Sequence, residues 1–380
     1  MSSKKKCALC STILIKGLEG NDSEEHIIPN SIGGRKVISG FICQPCNSKA
    51  GDHGEAELAK QLNWWSLTIG IKRQRNKPPA MNVDMVGGGK VRLKADGSIE
   101  SADVKLEKTP LADGRYHLHI TAPNIKRAEE MLNGLKKKHP HADLNSIREN
   151  LEHITINNPV LEVGSPFGGE GVGYSAVKSA CALAAYYGLD VDSYGLSAQF
   201  LRGKITEPVY NFLYNRDVVI NRPDNHLFHC VAVKSDLNKK LLLGYVEYFG
   251  FGRLVMILSD KYTGGEVSAI YAIDPVEGKE IDLDVDLILS DAEVKKIKCG
   301  EPDYDGFVSA LNYALPIALK ISRQRSLMLS IEQEAAMAYE KVIHELGIHP
   351  GQEMTKELAR EISTKTVNNM QPFISKLFRR

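Results

Sequence analysis

No uninterrupted run of about 18 apolar residues occurs in the sequence, so it offers nothing of the length that a bilayer-spanning helix requires. Its first residues, MSSKKKCALC, have a basic start without the apolar core of a secretion signal, which leads to the expectation of a cytoplasmic protein with no membrane partner. Seven cysteines in a chain of that kind argue against a disulfide framework. Neither Gly (32) nor Pro (16) is in excess, no low-complexity tract occurs, and no repeat is visible, which speaks against a largely disordered chain and against a solenoid. The formal net charge is only +1, so the chain as a whole is no polycation.

What is present is ordinary for a globular protein: 380 residues, 43% hydrophobic and 25% charged, enough for two or three domains. The near-neutral total conceals a bias, because residues 1–77 hold 12 Lys/Arg against 7 Asp/Glu. That excess fits a polyanionic partner without establishing one, since basic runs are more often simply solvated.

Composition and periodicity divide the chain into three parts. Residues 1–78 are punctuated by Cys and Gly and end in a helix expected from Ala56 to Ile69, after which KRQRNKPP, with Pro78 and Pro79, marks a boundary. Residues 79–160 alternate in VDMV, KVRLKA, ADVKLEK and YHLHIT before the helical AEEMLNGLKKK, a small α+β unit. Residues 161–380 begin with a glycine-rich turn and a helix, AVKSACALAAYYGL, dense enough in apolar residues to be buried. Strand patterns fill 227–275 and amphipathic helices the tail from Asp291.

Four of the cysteines form two tight pairs, Cys7-x-x-Cys10 and Cys43-x-x-Cys46. Each pair can place two thiolates on one ion, and together they complete the tetrahedral shell of a structural Zn2+ with no position left for water. Cys181, Cys230 and Cys299 are scattered and are expected to be core thiols.

Between and after the pairs runs EEHIIPNSIGGRKVISGFICQPCNSKAGDHGE. The acidic-His-x-x-Pro run at Glu25, His26 and Pro29, the Gly33–Gly34 turn and the Asn47 that follows the last cysteine resemble the HNH (ββα-metal) endonuclease superfamily. They are closest to its four-cysteine zinc branch, which includes endonuclease VII-like resolvases and restriction-type enzymes. The resemblance covers about the first 70 residues and implies a ββα-metal domain with the rest of an α+β protein, helical at its C-terminus, behind it. It implies His26 as general base, with Glu25 and Asn47 holding a catalytic Mg2+ or Mn2+. Oxygen donors suit such an ion, and an ordinary imidazole, titrating near about 6.5, is available as a base at cellular pH.

Other roles stay open for several residues. Glu24 is the rival of Glu25, and Asn47 could cap the helix after Cys46. Asn30 is the nearest counterpart of the family's middle Asn, with a structural hydrogen bond at most. Asp52 and His53 could be further ligands or phosphate contacts. GGEGVG at 168–173 lacks the Lys of a phosphate-binding loop and reads as a turn before a helix, and Ser175-x-x-Lys178 lacks the companion motifs of penicillin-recognising enzymes.

The resulting expectation is a metal-dependent endonuclease that cuts DNA in restriction or antiphage defence. The region after Pro79 would supply control through DNA recognition, a small regulatory ligand or partner subunits of a defence system. The main alternative is a zinc-dependent nucleic-acid-binding module that does not cut. A metabolic enzyme is a remote third reading, since no convergent polar set is visible in 160–275.

Overall fold

The structure is a computed structural model that describes residues 5–15, 17–112, 116–140, 145, 148, 152 and 159–378. The chain divides into two compact units, residues 1–318 and 319–380.

The first unit opens with a hairpin of β1 (Asp22–His26) and β2 (Val37–Cys43), antiparallel, with His26 opposite Val37 and Glu25 opposite Ile38. Its connection contains a 3-10 turn, Asn30–Ile32, ended by Gly33. Gly33 takes φ 101°, and a side chain at Gly34 would collide with the Ile28 carbonyl, which is why this turn needs both glycines. Helix α1 (Gln44–Ala50) follows directly, with Pro45 in its first turn, where a missing N–H costs nothing. A π-helical turn, Gly51–Glu55, leads into α2 (Ala56–Gln61) and α3 (Asn63–Ile69). The helix expected over 56–69 is thus two helices broken at Leu62.

The strand patterns of the second part form β3 (Met81–Met85), β4 (Lys90–Leu93), β5 (Ile99–Ser101), β6 (Lys105–Pro110) and β7 (Tyr116–Thr121). Helix α4 (Ile125–Lys138) follows, and then β8 (Leu161–Glu162). Strands β5-β4-β3-β8 make one sheet and β6-β7 a separate hairpin.

Next comes α5 (Gly169–Tyr186), buried almost all round from Gly171 to Ala184, as expected of a helix apolar on every face. Of the glycines of GGEGVG, Gly168 is the N-cap, with φ 132°, and Gly169, Gly171 and Gly173 lie inside the first turns of the helix; a side chain at Gly173 would collide with the Tyr210 ring. After α6 (Gly195–Leu201), the chain builds an antiparallel six-stranded sheet in the order β14-β13-β10-β11-β12-β9. Its strands are β9 (Tyr210–Phe212), β10 (His229–Asp236), β11 (Leu241–Tyr248), β12 (Gly252–Ser259), β13 (Ser268–Asp274) and β14 (Lys279–Glu280). Helix α5 packs on β10–β13 and also touches the β1–β2 hairpin and the π turn, so it lies between the sheet and the zinc-knuckle segment. Cys181 and Cys230 are core thiols, as expected, whereas Cys299 is exposed at the end of α7 (Asp291–Cys299). Helix α8 (Tyr304–Glu345) runs across residue 318.

The boundary expected near residues 72–80 does not separate compact units. Trp65 on α3 stacks on Phe249 and Phe251, with ring centroids 6.1 and 4.5 Å away, and its indole N–H donates to Ser165 Oγ at 2.9 Å. A large aromatic side chain shared in this way welds the N-terminal segment to the sheet.

In the second unit, the end of α8 and α9 (Lys356–Leu377) are joined by ten residues. Thr355 caps α9 by accepting from the Leu358 N–H. Among the described residues, no helix is long and apolar enough to cross a membrane.

Candidate metal centre and nuclease site

Cys7, Cys10, Cys43 and Cys46 converge, and all four Sγ atoms lie within 4.8 Å of one another. The Cys10 and Cys43 sulfurs are 3.6 Å apart, and the Cys43 N–H donates to Cys7 Sγ at 3.4 Å. Among the described residues this is the only such group of potential ligands. Burial pushes the Cys43 and Cys46 thiols up, a cost that a divalent cation removes by taking both as thiolates. The donor set and its spacing fit a closed four-thiolate zinc.

Strand β1 alternates as a strand should. Ser23 and Glu25 are buried, whereas Glu24 is exposed and His26 half-buried. Glu25 and His26 therefore leave the backbone on opposite sides, and the irregularity of the β1–β2 register falls before them, between Ser23 and Glu25.

Glu25 is ion-paired with Lys178 of α5, which also pairs with Glu55 of the π turn. Lys178 and Glu25 are nearly inaccessible, at 1% and 4% side-chain exposure, and Glu55 retains 23%. Burial pushes Glu25 up to about 7; Lys178 opposes this and the Glu55 carboxylate adds to it. Burial works against the charge of Lys178 too, but the two carboxylates outweigh it and hold the ammonium above the ordinary lysine value. The cluster holds one carboxyl group more than its lysine can neutralise, an excess that the raised Glu25 meets by holding a proton and that a cation would also balance.

Asn47 lies inside α1, whose N-cap is Cys43, so it does not cap that helix. Its Nδ2 donates to Ser23 Oγ at 2.8 Å and to the Glu24 carbonyl at 3.2 Å, which fastens α1 to β1. These bonds use the amide nitrogen and leave Oδ1 for a ligand. The carbonyl oxygen of Asn47 and the carboxyl groups beside Lys178 are oxygen donors, the ligand class that hard divalent cations take.

His26 Nε2 lies 2.8 Å from Oε1 of Gln74, a residue in the KRQRNK stretch. Asn30 binds the same stretch: its Oδ1 accepts from the Gln74 N–H at 2.9 Å, and its Nδ2 donates to the Arg75 carbonyl at 3.4 Å. The expected linker is a strap pinned on the hairpin. Asp52 and His53 are exposed on the π turn, with the His53 ring edge-on to Tyr174.

Sequence reasoning missed Lys178, Glu55 and Gln74. The only signal for the first was a charged residue in an otherwise apolar helix, and for the last its place among basic residues.

The hairpin loop is also bonded to the six-stranded sheet. His229, fully buried, donates from Nε2 to the Ile32 carbonyl at 2.8 Å, and its Nδ1 accepts from the Phe249 N–H at 3.1 Å. Tyr271 Oη accepts from the N–H groups of Arg35 and Lys36 at 3.3 and 3.1 Å, and Lys36 pairs with Glu280 at 2.8 Å.

Residues 7–63 match a family model described as HNH endonuclease. The chain therefore carries an N-terminal HNH domain holding the four-cysteine cluster, within an α+β protein with a helical C-terminus. The match ends at Asn63 and leaves the rest of the chain unassigned. No curated protein and no solved structure matches the chain.

Proposed function

We propose, taking the HNH domain of residues 7–63 as the premise, that this protein hydrolyses phosphodiester bonds of DNA with His26 as general base. The observation that carries this reading is a half-exposed histidine on the hairpin of a zinc-knuckle frame, held by Gln74 and followed by an Asn47 whose Oδ1 is unspent. A zinc held by Cys7, Cys10, Cys43 and Cys46 would be bound by four thiolates and would support the fold and not the chemistry.

His26 takes a proton from the attacking water through the ring nitrogen that Gln74 does not occupy. Asn47 Oδ1 and the Glu25 carboxylate, Glu25 giving up Lys178, would hold Mg2+ or Mn2+, which supplies charge stabilisation to the phosphorane-like transition state. The basic strap of residues 72–77 meets His26 through Gln74, and its Lys and Arg residues suit the phosphate backbone of a nucleic acid.

Control by the rest of the chain, in restriction or antiphage defence, is the remaining part of the reading. The shared core of Trp65 with Phe249 and Phe251 supports it, since a change in the sheet reaches the nuclease loop through His229 and Tyr271. A cavity of about 800 Å³, whose wall includes His53, Arg202 and Tyr210, offers a regulatory small molecule a location.

One observation favours a second reading, a zinc-dependent nucleic-acid-binding module that does not cut: Glu25 is sequestered by Lys178. Cleavage of supercoiled plasmid by wild type and His26→Ala, with Mg2+, Mn2+ and chelator controls, tests one against the other.

A further inference from the structure

Gln74 makes three hydrogen bonds whose polarities constrain one another. Its backbone N–H donates to Asn30 Oδ1 at 2.9 Å, which fixes the position of the residue. Its Nε2 donates to the Arg35 carbonyl at 3.3 Å, and its Oε1 faces His26 Nε2 at 2.8 Å. Exchanging the amide's oxygen and nitrogen would set Oε1 against the Arg35 carbonyl oxygen, two acceptors with no proton between them. The Arg35 carbonyl therefore decides which end of the amide meets the histidine. An acceptor at Nε2 requires a proton on Nε2. In a neutral imidazole the other nitrogen, Nδ1, then carries the lone pair.

We infer that Gln74 is a positioning residue that holds His26 in its Nε2–H tautomer and leaves Nδ1 as the nitrogen that accepts the proton from water. The inference rests on the reading of His26 as general base, and it extends the working site beyond the matched residues 7–63. It gives the KRQRNK strap a task besides charge. Asn30 acts through it: by holding the backbone of Gln74 and Arg75, it places the amide that orients the base. A general base must present its lone pair to the substrate water, and a ring in the wrong tautomer presents a proton instead.

The test uses the full-length protein labelled with 15N-histidine, at pH 8, as wild type, Gln74→Leu and Gln74→Glu. The His26 signals are identified by their loss in His26→Ala. Gln74 is exposed, so neither change disturbs a core. Wild type should show the Nε2–H tautomer, Gln74→Leu a mixture of the two, and Gln74→Glu the Nε2–H form again, since a carboxylate also accepts. In plasmid cleavage Gln74→Leu should lower kcat about tenfold with KM unchanged, the scale of one lost orienting hydrogen bond, and Gln74→Glu should recover part of it, since its second oxygen cannot donate to the Arg35 carbonyl. An Nδ1–H signal in wild type, or a Gln74→Leu spectrum identical to wild type, overturns the inference. A wild type that has the Nε2–H tautomer but never cuts overturns the nuclease reading alone and leaves the assignment of Gln74 to the tautomer standing.

Discussion

Lys178, in the middle of α5, is the ionic partner of Glu25 on β1, 153 residues earlier in the chain. The contact joins the HNH hairpin to the helix that supports the six-stranded sheet, and it places an ammonium where the family resemblance expects a cation.

If Glu25 is a ligand of the catalytic cation, Lys178 competes with that cation. Lys178→Met should then tighten Mn2+ binding, read by electron paramagnetic resonance, at least about tenfold, or about 1.4 kcal/mol. The variant should be destabilised without metal, because it leaves two carboxylates facing each other, and Mn2+ should restore its melting temperature. Unchanged or weaker Mn2+ binding would make Glu25 a structural partner of Lys178.

Zinc should be present at about one ion per chain. Replacing Cys10 with Ser should release it and loosen the hairpin, since metal binding and local folding share one free energy. Freshly purified protein with no zinc by elemental analysis would contradict the assignment of all four cysteines.

A fragment of residues 1–78 should not fold by itself. It would expose Trp65, lose the bonds of Ile32, Arg35 and Lys36 to His229 and Tyr271, and leave Glu25 without Lys178. A dispersed amide spectrum from that fragment would show that the segment is an independent domain after all.

Acid should weaken the fold through His229. Burial pushes this ring down to about 4, against the hydrogen bond to Ile32, so the unfolded chain takes up the proton first. The contribution is complete above about 6.5, the ordinary histidine value, and is lost as pH falls towards 4, on the order of 3 kcal/mol in total. Glu25 works in the opposite sense, because its raised value makes the folded state the better proton binder between the ordinary carboxylate range and about 7. The comparison must therefore be between wild type and His229→Gln: urea melts at pH 7 and pH 5 should show a smaller acid loss in the variant. Equal losses would remove His229 as the cause.

Local features were legible in the sequence and tertiary ones were not. Two Cys-x-x-Cys pairs announce a zinc shell because both members of each pair lie within one turn, and the short apolar runs in LFHCVAVK and GRLVMILSD announce the buried strands β10 and β12 for the same reason. Asn47 was open to reading as a helix cap because it directly follows Cys46, whereas α1 starts at Gln44, with Pro45 in its first turn, and already contains both residues. Lys178 could not be assigned because its partners, Glu25 and Glu55, come from remote segments, and a lone lysine in an apolar helix names no partner. The strap of residues 72–77 looked like a linker since Pro78 and Pro79 bar a helix; its anchor, the Asn30 side chain, leaves no trace in a period. The same holds for Trp65, whose stacking on Phe249 and Phe251 removes the boundary that the two prolines suggested.

The central claim, that this protein cuts DNA through His26, is tested most directly by the rate of supercoiled plasmid cleavage in Mg2+ or Mn2+ for wild type and His26→Ala, each with its zinc content measured. Wild type should nick or linearise the plasmid and stop when the divalent cation is chelated. His26→Ala should keep its zinc and its DNA affinity and lose on the order of 10²–10⁴ in rate, the contribution of a general base. Equal cleavage by both proteins would contradict the assignment of His26, and a zinc-loaded wild type that binds DNA in either metal but never cuts it would contradict the nuclease itself.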